Sequence, residues 1–164
     1  MPADRQSIFD DFLRLLGELN YSWTNTESLL IHLIAGLSKV EKDVAVIIFL
    51  TLNTTRARID LVQRLSKMPG VDKEMRNEVL ELTGKLQRYS GLRNRYNHCI
   101  YSFDNEDGSA KTILMRIADR KSEIKVGQVG DLDDVAIEEI SNTIVKLKEL
   151  NRSFWDFFVK NGMG

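Results

Sequence analysis

Between Tyr89 and Cys99 the chain reads Tyr-Ser-Gly-Leu-Arg-Asn-Arg-Tyr-Asn-His-Cys. This stretch holds His98, one of two histidines in 164 residues, with Arg93 five positions earlier. Histidine takes and gives a proton near neutrality. Arginine is always charged and matches the geometry of a phosphate. Together they suit chemistry on, or recognition of, a phosphate. On a helix each residue turns about 100°, so Arg93 and His98 stand roughly 140° apart and do not stack. Asn94 and His98 are four apart and share a side, so Asn94 is placed to hydrogen-bond an imidazole nitrogen and fix its tautomer. Arg93 and Asn97 form the companion pair. If the helix ends near His98, Arg93 and His98 converge on one ligand from the rim of a groove.

Other residues fit as binding partners of a polyanion. Tyr89, Tyr96 and Tyr101 alternate with Arg88, Arg93 and Arg95, the mix of rings and cations that holds single strands. Aromatic residues at helical spacing are also core residues; Tyr89 reads as core and Tyr96 as the better stacking candidate. Asn53, Arg56, Asp60 and Arg64 recur at helical spacing, which offers Arg56 as a second phosphate contact. The same spacing makes ion pairs on a solvated face, Arg56–Asp60 and Asp60–Arg64, worth only about a few tenths of a kcal/mol each. His32 lies inside Leu-Leu-Ile-His-Leu-Ile and reads as a packed, hydrogen-bonded histidine. No metal site is expected, because no second histidine or cysteine sits at ligand spacing and His98 beside Cys99 is poor geometry for a shared ion. No cofactor motif is present: Gly127-x-x-Gly130 lacks a third glycine or a phosphate-binding lysine and reads as a turn.

The elements that must position these residues are mostly helical. Ser7 to Leu19 has Ile8, Phe12, Leu15, Leu16 and Leu19 at three- and four-residue steps. Thr24-Asn-Thr-Glu27 has the form of a capping box and predicts a second helix through Leu29, Leu30, Leu33, Ile34 and Leu37. Ser38-Lys-Val-Glu41 predicts a restart or a kink, and helix to about Lys67. Its first half, Val44 to Leu50, is apolar all round, which predicts a central, enclosed helix. Met68-Pro69-Gly70 stops it. Asp72 opens the next helix, with Met75, Val79, Leu82 and Leu86 on one face. Tyr89, Arg93 and Asn97 continue that phase as polar residues where the pattern calls for apolar ones, which is expected at sites.

After Cys99 the period changes to alternation. Ile100 to Phe103, Thr112 to Ile117 and Glu123 to Val129 predict three strands, with turns at Asn105–Gly108 and Asp119–Ser122. Gly130 to Asp134 caps a last long helix whose face carries Ile137, Ile140, Ile144, Leu147, Phe154 and Phe158. The fold class is mainly α: a four- to five-helix bundle in one domain, residues 1–164, with a small antiparallel meander at about 99–129 before the last helix.

Composition agrees with a soluble domain: 43% hydrophobic and 29% charged, with net charge −1. Charge is unevenly spread. Ten bases oppose five acids between Arg56 and His98, and seven acids oppose four bases from Asp131 onward. That distribution suits a polyanion partner, or self-association through opposite patches. A single cysteine fits a reducing compartment, the N-terminal residues lack a signal pattern, and the longest apolar run is too short to span a bilayer. A cytoplasmic location with no membrane association is the expectation.

Arg93-Asn94-x-x-x-His98, late in a long helix of an α-helical protein, resembles the Arg-x4-6-His motif of the HEPN superfamily, in which a polar residue such as asparagine usually follows the arginine. The strands from Ile100 to Val129 are additional to the minimal helical pattern. The resemblance implies a homodimer with two motifs facing each other and a metal-independent endoribonuclease activity. Arg93 would stabilise phosphate, His98 would transfer protons and Asn94 would orient it. It also implies alternatives: a toxin neutralised by a protein partner (an antitoxin), or a non-catalytic module that binds nucleotide, RNA or protein. Cleavage through the RNA's own 2′-hydroxyl needs a base, an acid and positive charge on the phosphorane. One chain offers one well-placed histidine, whereas a two-fold dimer offers two.

Overall fold

A computed structural model describes residues 2–103, 109–115, 117–127 and 129–164. In chain order its elements are α1 (Pro2–Glu27), α2 (Leu30–Ser38), α3 (Lys42–Thr51), α4 (Thr55–Ser66), α5 (Lys73–Asn97), β1 (Cys99–Phe103), β2 (Ala110–Leu114), β3 (Ile117–Asp119), β4 (Ile124–Val126), β5 (Val129–Asp131) and α6 (Asp134–Asn161). The protein is mainly helical, with a small antiparallel sheet before the last long helix, as the change of period predicts. No helix among the described residues is long and apolar enough to cross a membrane.

Helix α1 runs straight through Thr24, so the capping box predicted there does not form. Its members are used otherwise. Thr26 Oγ1 donates back to the Ser22 carbonyl at 2.8 Å. The Glu27 carboxylate accepts from Trp23 Nε1 at 3.1 Å and from Thr55 Oγ1 at 2.6 Å. A capping box needs its glutamate free to reach the cap backbone; here tertiary partners hold it. The chain breaks at Ser28–Leu29 and again after α2, where Lys39 takes a left-handed conformation. Ser38 Oγ bonds the Ile34 carbonyl, and the cap of α3 is Glu41, without a side-chain cap bond.

The helix expected from Glu41 to Lys67 is two helices. Thr54 is extended, and its hydroxyl accepts from Ala57 N–H at 3.1 Å to start α4. The orphan carbonyls at the end of α3 are met by a side chain: Arg58 Nε donates to Phe49 O at 3.1 Å and Leu52 O at 3.0 Å. The expectation of an enclosed helix fails at α3. Ala45 and Phe49 are buried, but Val44, Ile47 and Leu50 are 45%, 65% and 64% exposed. An apolar sequence shows what a helix can bury, not which faces find a partner.

Helix α5 starts where expected, Asp72 Oδ1 accepting from Met75 N–H at 2.9 Å, and α6 starts with Asp133 Oδ1 accepting from Ala136 N–H at 2.9 Å. Among the described residues the meander is five short strands in two sheets instead of three strands. β1, β2 and β5 form an antiparallel sheet in the order β1-β2-β5, in which Tyr101 pairs with Thr112 and Thr112 with Gly130. β3 and β4 form a separate ribbon, closed at Arg120–Glu123 by a backbone bond of 2.9 Å. Gly127 has φ 70°, a turn conformation that interrupts the predicted third strand. The turn predicted at Asn105–Gly108 lies outside the described residues.

The chain divides into two compact units. One comprises residues 1–20 and 91–144, hence the end of α5, all the strands and the start of α6. Its core includes Phe12, Leu15, Leu19, Leu92, Tyr96 and Ile140. Alternation sends Tyr101 and Thr112 to the same face of the sheet, and Phe12 meets the rings of Tyr96 and Tyr101 edge-on at 6.2 and 5.5 Å. The opposite face carries Ile100 and Val129, both more than half exposed. The other unit comprises residues 21–90 and 145–164. It buries Trp23, Leu30, Leu33, Ile34, Ile59, Leu86, Phe154 and Phe158, each worth about 1.5–3 kcal/mol of transfer free energy.

Candidate functional site

The Arg93–His98 segment closes α5 and turns into β1. His98 N–H still donates to the Asn94 carbonyl at 3.2 Å, and the His98 carbonyl accepts from Met115 N–H at 2.8 Å. His98 is therefore both the last helical donor and the first sheet acceptor. Its backbone is fixed on both sides while its side chain is exposed. Helix α5 ends at Asn97, one residue before His98, the condition on which the sequence lets Arg93 and His98 meet one ligand.

Arg93 is half-buried. Its Nη1 donates to Asn94 Oδ1 at 3.1 Å. Asn97 takes the other side of the guanidinium. A guanidinium only donates, so the Asn97 atom facing it is the amide oxygen. That oxygen accepts from Arg93 Nε at 2.9 Å and Nη2 at 3.2 Å. The companion pair expected from helical spacing thus forms. Asn94 is turned to Arg93 rather than to the imidazole, and among the described residues no side chain orients His98.

The flanking candidates separate. Arg95 pairs with Glu139 at 3.4 Å, both about half exposed. Tyr96 is 5% exposed and packs against Phe12, so it is a core residue and offers no stacking surface. Burial, then the nearby Glu139 carboxylate, raises its phenol above the ordinary range. The Tyr101 hydroxyl donates to the Tyr96 carbonyl, and burial pushes its pKa up to about 12. The Cys99 thiol donates to the Arg95 carbonyl and burial raises it too, so it is held as a thiol. Tyr89, read as core, is half-buried. Arg56 lies on α4 in the other unit, 81% exposed, with Asp60 at 4.0 Å: the ion pair that i,i+4 spacing gives.

Two features escape sequence reading. Asn20, mid-helix in α1, touches Asn97 across 77 residues of chain; no local pattern announces such a pair. Arg58 is the centre of a sealed polar cluster, its Nη1 3.1 Å from Glu27 Oε1 and its guanidinium 4.0 Å above the Phe49 ring. Its signal was a basic residue placed just after a helix start, which sequence reading cannot tell from a surface arginine. His32 behaves as a packed residue, its ring 5.3 Å from Trp155 and 5.0 Å from Phe158. Among the described residues no group of three or more histidines, cysteines or acids is placed to hold a metal ion.

No protein-family model matches the chain, and neither the curated proteins nor the solved structures contain a match.

Proposed function

We propose that the chain is a HEPN-like endoribonuclease that works as a homodimer without a metal ion. The observation that carries this reading is the arrangement at the end of α5, with an arginine held by two amides and an exposed histidine whose backbone is clamped between helix and sheet. Arg93 would bind the scissile phosphate and stabilise the charge of the phosphorane. One His98 would take the proton of the 2′-hydroxyl as its oxygen attacks phosphorus. The His98 of the second copy would protonate the departing 5′-oxygen, leaving a 2′,3′-cyclic phosphate and a 5′-hydroxyl. One chain supplies one such histidine, so a two-fold pair of copies would supply both the base and the acid.

One observation favours a second reading. Asn94 is engaged with Arg93 and does not fix a tautomer of His98. A module that binds RNA, nucleotide or a protein partner without cleaving anything needs the arginine but not an oriented imidazole. The test is labelled single-stranded and structured RNA in excess chelator, with wild type beside His98→Ala. Cleavage that persists in chelator and vanishes in the variant supports the nuclease. Salt-dependent RNA binding without cleavage by either protein moves the assignment to the binding module.

A further inference from the structure

We infer that the outer face of the β1-β2-β5 sheet is a contact surface for a second copy of this chain, packed face to face about a two-fold axis that runs along the strands between β2 and β5. The inference goes beyond the proposed activity and does not rest on it.

Strand register builds the face. Side chains alternate along a strand, so residues directly opposite one another on neighbouring strands share a side of the sheet. Tyr101 and Thr112 take the inner side. Ile100, Ile113 and Val129 therefore form one row on the outer side, and Ser102, Lys111 and Asp131 form the next. The first row is open to solvent, with Ile100 51% and Val129 67% exposed. The β3–β4 ribbon that joins β2 to β5 adds Ile117 and Val126, paired with each other and 64% and 73% exposed. All of these residues belong to one compact unit. Six large apolar side chains between Ile100 and Val129 are more than half exposed. At roughly 100 Å² each they present roughly 600 Å², close to the ~800 Å² that each partner buries in a stable interface.

Charge selects a second copy as the occupant. Lys111 and Asp131 stand opposite each other on β2 and β5, both exposed, and among the described residues neither makes an ion pair. A two-fold axis between these strands lays β2 of one copy over β5 of the other. Lys111 then meets Asp131 of the partner subunit, and Asp131 meets the partner's Lys111. The same rotation sets Ile113 against Val129 of the partner subunit and covers the apolar row. The face thus supplies its own complement in charge and in hydropathy, with the aligned packing that two sheets adopt.

The test is the mass of the full chain in solution by analytical ultracentrifugation, over a concentration series, for wild type, Lys111→Asp and Asp131→Lys. Wild type should be a dimer. Each reversal puts like charges at both contacts and should weaken self-association roughly tenfold or more. An equimolar mixture of the two variants should restore the dimer, because the two reversals complement each other only between chains. A wild type that stays monomeric overturns the inference and leaves the face to another protein or to RNA. Variants that dimerise as wild type does place the dimer on another surface and overturn it too, as does a mixture that stays monomeric. If either reversal fails to fold, Val129→Gln takes its place, and an undiminished dimer there overturns the inference. A dimer that cleaves no RNA supports this contact while defeating the nuclease.

Discussion

Arg58 and Arg93 are both held from more than one side, and the partners differ in kind. Arg58 gives its Nε to two carbonyls at the end of α3, its Nη1 to the Glu27 carboxylate and its face to Phe49. The carboxylate is itself met by Trp23 and Thr55, and the two charged side chains are only 18% and 10% exposed. Arg93 gives its Nη1 to one amide oxygen and its Nε and Nη2 to another. A carboxylate cancels the arginine's charge and closes the cluster, which makes Arg58 a fastener between α1, α3 and α4. The amide oxygens that meet Arg93 aim its guanidinium and bring no charge of their own. Two half-hidden arginines thus differ in the kind of partner that holds them, a carboxylate at Arg58 and amide oxygens at Arg93.

The sharpest way to break this contrast is to delete each arginine in turn. Arg93→Ala or His98→Ala should lower RNA cleavage by about 10²–10³-fold, the usual loss of a proton-transfer or charge-stabilising group, with little change in Tm. If Arg93→Ala instead unfolds the protein, Arg93 is a fastener as well and the contrast fails. Next in size is Glu27→Ala, which strands a buried guanidinium; urea unfolding should show a loss of about 3 kcal/mol. A loss below about 1 kcal/mol would mean that Arg58 finds water when its partner is gone.

A third measurement uses His32, in the same unit as Arg58. Burial and then the Lys42 charge hold its pKa below the ordinary 6.5, against a smaller upward pull from a hydrogen bond with the Met163 backbone. As pH falls through 6.5 the unfolded chain takes up this proton first, so stability should decline below that pH and level off once the folded value is passed. Stability that is flat over this window in wild type, or as steep in His32→Gln, would show that His32 does not contribute. The smallest effect belongs to Arg95→Ala. Its exposed pair with Glu139 predicts a stability change of about 1 kcal/mol or less. If Arg95 also touches a phosphate, the salt slope of RNA binding falls by about one; an unchanged slope makes it a surface ion pair alone.

Much of the fold was legible because local physics decides it. The stripe of Val79, Leu82 and Leu86, the Asp72 and Asp133 caps and the alternation after Cys99 need no partner elsewhere in the chain to be recognised. The capping box at Thr24 misled because its glutamate is claimed by Trp23, Thr55 and Arg58, two of them adjacent only in space. Val44 to Leu50 misled because hydropathy carries no information about which face meets a neighbour. At the candidate site, spacing alone paired Arg93 with Asn97, since both lie on one helix a turn apart. Tyr96 looked like an exposed ring because a five-residue window cannot show Phe12.

Local sequence suffices for the helical character, the late insertion of strands, and an arginine and a histidine placed around the last turn of one long helix. Those follow from periodicity and residue chemistry over a few turns. Tertiary structure alone decided that Asn94 faces Arg93 instead of His98, that Tyr96 belongs to the core, and that Asn20 reaches Asn97 from the other end of the chain. Each of these is a choice among hydrogen-bond or packing partners of similar local energy, and only the arrival of residues distant in sequence breaks the tie.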